Sequence, residues 1–69
     1  MIVHRAGFPV THHAEVPENR VVRKAILGRE EDVVRGEVTA ACGAVLKGTI
    51  LRMPAGTPLS CARCARGVR

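Results

Sequence analysis

Val38-Thr-Ala-Ala-Cys-Gly43, followed by Cys61-Ala-Arg-Cys64, holds all three cysteines of the chain. Eighteen residues separate Cys42 from Cys61. A Cys-x-x-Cys turn aims two thiolates at one ion, and backbone N–H groups of the turn can donate to the sulfurs. The intervening stretch is long enough for a strand, a turn and a return, which brings the two sulfur-bearing turns to the same end. A zinc ribbon usually offers two Cys-x-x-Cys pairs. Here the first pair is reduced to Cys42, so a histidine has to complete a four-ligand Zn2+ site. Buried reduced cysteines are common core residues, but this grouping exceeds what core filling needs. A redox pair at Cys61 and Cys64 would need a thioredoxin-like unit, for which 69 residues are too few.

Reading outward, Glu37–Cys42 predicts a strand and Ala44–Arg52 its return. Gly43 supplies the positive φ that a turn after a ligand cysteine favours. The segment 54–58 holds two prolines and a glycine and reads as a loop. One turn of helix is expected to open at the Cys-x-x-Cys. Upstream, residues 29–32 read as a polar connection, and Val33-Val34 lead toward a strand broken at Gly36. Pro17–Leu27 predicts a helix. Val21, Val22, Ala25 and Ile26 form one stripe, with Arg20, Arg23 and Lys24 opposite. Pro17 suits a first turn and Gly28 a C-terminal stop. The β-branched residues of Val21–Leu27 support a strand as the rival reading. Residues 1–16 are extended, with 1–10 read as a flexible N-terminal arm. In a short strand over Val10–Val16, alternation sends His12 and His13 to opposite faces. His12 then shares the apolar side with Val10, Ala14 and Val16, which favours it for a metal seated against the core. His4 is more remote.

The expected fold class is α+β: a single zinc-stabilised domain over residues 1–69, a zinc-ribbon-like β-hairpin with one short helix. The physical case for a metal is the thin core. A chain this short buries only about 60% of the surface its unfolded form exposes. Phe8 is the one aromatic residue, and there is no Trp or Tyr. A structural zinc contributes on the order of 10 kcal/mol, more than such a core supplies.

The pattern resembles a family of short zinc-binding proteins of actinobacteria and their phages. The shared features are His13, Val16-Pro17, Ala25-Ile-Leu-Gly28, Val38-Thr-Ala-Ala-Cys-Gly43 and Cys61-Ala-Arg-Cys64, spanning about residues 12 to 64. The resemblance implies metal binding through Cys42, Cys61, Cys64 and His13, with His12 as the alternative fourth ligand. It implies no particular activity. Two departures stand out. Residues 29–36 look like an insertion, and Ala62 stands where the family places proline.

Three cysteines and a histidine close the coordination shell, whereas a catalytic zinc keeps a position for water. No His-Glu-x-x-His, Gly-x-Ser-x-Gly or phosphate-binding glycine loop is present, so a non-enzymatic role is expected. Net charge is +5, and nine of the eleven basic residues are Arg. That favours phosphates or an acidic protein surface. Arg63, Arg66 and Arg69 are spaced by three, with Lys47 and Arg52 expected to join them in a DNA-backbone contact. Base stacking has only Phe8 as a platform. The alternative is a protein–protein interaction module, in one version docking through Arg20, Arg23 and Lys24; a thin core also favours self-association. No stretch is apolar enough to span a membrane. The start of the chain does not read as a secretory signal, and the odd cysteine count argues against a disulfide framework. A cytoplasmic location is expected.

Overall fold

The computed structural model describes residues 1–67. Five strands form one antiparallel sheet in the order β2-β1-β7-β4-β3. They are β1 (Ile2–Arg5), β2 (His12–His13), β3 (Val21–Ile26), β4 (Arg29–Val34) and β7 (Ile50–Met53). A second, two-stranded sheet pairs β5 (Val38–Thr39) with β6 (Val45–Leu46). A 3₁₀ turn spans Glu18–Arg20, and the α-helix α1 covers Ala62–Gly67. The domain is thus a small α+β unit of mostly antiparallel strands with one short α-helix.

Val3, Ala14, Val34, Val38, Leu46 and Ile50 form the core, with Met1, Val16 and Val21 packed against it. No aromatic ring is buried there. Strand register explains which residues meet. Val21 faces Val34 and Val34 faces Ile50. Side chains repeat every second residue along a strand, so two positions on the same face carries Arg23, Asp32 and Arg52. Their charges meet at 3.0 Å (Arg23 to Asp32) and 2.9 Å (Arg52 to Asp32). The apolar ladder therefore continues into an ionic one where the sheet leaves the core.

The N-terminal residues are not a flexible arm. Ile2–Arg5 is an internal strand, hydrogen-bonded to β2 on one side and β7 on the other. Its Val3 is fully buried, so core packing holds the segment in place.

Pro17–Leu27 is not a helix. Past the 3₁₀ turn it becomes β3, and the expected insertion at 29–36 supplies its partner β4. Six residues of each strand pair in register. Leu27 and Gly28, with φ of 50° and 78°, make the two-residue turn between them. Positive φ at both central positions is the hairpin geometry usually announced by Asn-Gly. Leucine in that place hides the signal. The left-handed conformation costs a non-glycine residue about 1–2 kcal/mol, and Leu27, 98% exposed, gains no packing in return. Leu27→Asn should therefore stabilise the domain by about 1 kcal/mol and raise its melting temperature by about 4–8 °C. A lower melting temperature would contradict this description of the turn.

The return strand expected over Ala44–Arg52 is broken at Gly48 (φ 90°). β6 and β7 consequently lie in different sheets. That break lets the Cys42 turn fold back over β2, where Ala41 N donates to His13 O at 2.7 Å. Among the described residues no helix is long and apolar enough to cross a membrane.

Candidate metal centre

Two separate segments converge on β2. The Cys42 turn is closed by Ala40 N donating to Ala44 O (2.8 Å) and Gly43 N to Ala40 O (2.9 Å). Gly43 takes a φ of 92°, the left-handed geometry anticipated for it. α1 follows Cys61 directly, and Ala65 N donates to Cys61 O at 3.0 Å. A clasp joins this segment to the residue before His12. Thr11 N donates to Ser60 Oγ and Ser60 N to Thr11 Oγ1, each at 2.8 Å. Thr11 Oγ1 donates to Pro58 O at 2.7 Å, and Cys61 N to Thr11 O at 3.1 Å. Backbone bonds thus tie β2 to the Cys42 turn on one side of His12 and to the Cys61 segment on the other.

The result is a four-residue group. Single ligand atoms of His12, Cys42, Cys61 and Cys64 all lie within 4.8 Å of one another, close enough to hold one metal ion. His12 Nδ1 is 3.5 Å from Cys64 Sγ and 3.7 Å from Cys42 Sγ. Cys64 is fully buried, whereas Cys42 and Cys61 are half-buried. The group therefore rests against the core and opens outward on one side.

The thiols differ in acidity. The backbone N–H of Cys64 holds the Cys61 thiol below its ordinary range, against the opposing effect of burial. Burial pushes the Cys64 thiol up. Three thiolates at this spacing repel one another in a partly dry site, and a divalent cation removes that penalty.

His13 is not in the group. It follows His12 on β2, so its side chain points to the other face. There it stands beside its register neighbours Ile2 and Met53, at the edge of an open cleft. The resemblance pointed to His13, whereas the histidine that lies with the cysteines is the residue before it. On a strand a one-residue slip moves a side chain through the sheet, so the alternative, His12, occupies the site. His4 is also elsewhere, its Nδ1 3.3 Å from Phe8 O.

The basic residues do not gather as expected. Arg52 is held by Glu18 at 2.6 Å and Asp32 at 2.9 Å. The hydrogen bond from Arg52 keeps the Asp32 carboxyl below its usual range. Lys47 lies 3.9 Å from Glu37. Arg63 and Arg66 are exposed on α1 and form no ion pair among the described residues. Arg69 lies outside the described residues.

Sequence reasoning missed the Thr11–Ser60 clasp. Its one available sign is that each residue directly precedes a member of the His/Cys group. The clasp fixes the backbones that carry His12 and Cys61, and each of its hydrogen bonds is worth about 0.5–1.5 kcal/mol. Thr11→Val should weaken metal retention roughly tenfold in competition with a chromophoric chelator. Unchanged affinity would make the clasp a bystander. Compared with protein families, curated proteins and solved structures, the chain matches none.

Proposed function

We propose that the chain is a structural-zinc domain whose role is to present a binding surface, not to catalyse a reaction. The observation that carries this reading is the compact group of His12, Cys42, Cys61 and Cys64. Zinc bonds of about 2.3 Å to sulfur and 2.0–2.1 Å to nitrogen give a tetrahedral N···S edge of about 3.5–3.6 Å. The His12 Nδ1 separations of 3.5 and 3.7 Å fit that edge. One imidazole and three soft thiolates also suit Zn2+ better than a hard cation. Four protein ligands leave no open coordination position, which argues for a structural rather than a catalytic role. The likeness to small actinobacterial and phage zinc proteins belongs to this proposal. Elemental analysis of protein purified without added metal tests it. About one zinc per chain is expected, and a value near zero would overturn it.

A protein partner is the preferred target of that surface. The observation favouring it is the engagement of Arg52 by Glu18 and Asp32, which takes away one of the two residues expected to join Arg63, Arg66 and Arg69 in a phosphate contact. A nucleic-acid reading rests on Arg63 and Arg66, exposed and one helical turn apart on α1. If it holds, duplex DNA is retained at low salt, affinity falls steeply with salt, and Arg63→Gln with Arg66→Gln abolishes it. No retention at low salt removes that reading.

A further inference from the structure

Beside the metal group, on the His12 side, the surface opens into an apolar groove of about 270 Å3. Arg5, Phe8, Val10, His12 and Leu46 line it. Phe8 and Val10 are 53% and 42% exposed, an unusual share of large apolar surface for a chain so short of it. Leu46, nearly buried, is anchored in the core. The rim is braced by hydrogen bonds. Phe8 N donates to Arg5 O at 2.9 Å and Ala6 N to Thr49 O at 2.9 Å, across a tight turn at Gly7 (φ 86°). The Arg5 guanidinium sits 4.5 Å from the centre of the Phe8 ring. That contact orients the ring and leaves a cation at the rim of an apolar hollow. Among the described residues no carboxylate lines the groove.

We infer that this groove docks a segment of a partner protein that carries an aliphatic side chain next to Asp or Glu. This deepens the interaction-module reading and rests on it. The volume suits one or two apolar side chains. The arginine at the rim, in a chain of net charge +5, selects an acidic neighbour for that anchor. A rim fixed before binding lowers the entropy cost of docking. Nucleic acid fits less well. Arg5 already covers the one ring on which a base could stack, and the other walls, Val10 and Leu46, are aliphatic.

The test is selection of a displayed random 12-residue peptide library on the zinc-loaded protein. It is followed by anisotropy titration of labelled winners against the parent, Phe8→Ala and Arg5→Glu. Enriched peptides should pair Leu, Ile or Val with Asp or Glu, and each variant should bind them at least tenfold more weakly while still holding zinc. The inference is overturned by the absence of such peptides, by equal binding to both variants, or by an oligothymidylate binding with the same dependence on Phe8 and Arg5. Zinc content measured on the same samples separates the two ideas. A parent chain without zinc refutes the zinc reading, whereas a zinc-loaded chain that selects no such peptide refutes the groove alone.

Discussion

Cys64→Ser should give a chain that neither keeps its metal nor melts cooperatively. Cys64 is the one member of the His/Cys group with no exposure to solvent. Its sulfur lies 3.5 Å from His12 Nδ1 and joins α1 to β2. Serine is nearly the same size, so the substitution leaves no large void. It removes a soft ligand and puts a hydroxyl in a dry position. Structural zinc is worth on the order of 10 kcal/mol in small domains. A core of this size supplies only about 3–5 kcal/mol by itself, and this one is built from Val, Ala, Leu and Ile without an aromatic ring. Losing the larger quantity exceeds the smaller, so the native state should be depopulated rather than merely weakened. Circular dichroism melting with bound metal counted per chain reads both consequences. A Cys64→Ser protein that melts like the parent would mean that the metal is not what holds the fold.

The second large effect is a contrast between neighbours. His12→Ala should lower metal affinity by more than about 100-fold, because losing even an outer-shell partner costs about 10–100-fold. His13→Ala should leave affinity unchanged, since its ring lies across the sheet with Ile2 and Met53. Titration of both variants with zinc against a competing chelator gives the answer. Equal losses would mean that β2 does not present its two rings to opposite faces. A loss confined to His13→Ala would mean that the register of β2 against β1 is shifted by one residue.

The cysteines were legible from spacing alone, because a Cys-x-x-Cys turn fixes its two sulfurs locally whatever surrounds it. The short helix that opens after Cys61 was legible for the same reason. The fourth ligand could be narrowed only to two adjacent histidines. Alternation against Val10, Ala14 and Val16 pointed to His12, and the family pattern, one residue out of step, pointed to His13. Pro17–Leu27 reads as a helix because its apolar positions suit either period and because residues 29–32, most of its decisive partner strand, read locally as a polar connection. That pairing brings Arg23 and Asp32, nine residues apart in sequence, together across the strands. Arg52 was misassigned for a similar reason. Its carboxylate partners, Glu18 and Asp32, lie on other segments and meet it only after the sheet has formed. Local chemistry was readable, and charge pairing that depends on long-range register was not.

The most direct test is a melt of the protein after its metal has been stripped by a strong chelator under reducing conditions. If an ion held by His12, Cys42, Cys61 and Cys64 fastens β2, the Cys42 turn and α1 together, the stripped chain should show no cooperative transition and should regain one when a single equivalent of zinc is returned. A stripped chain that still melts cooperatively near the parent temperature would contradict the account.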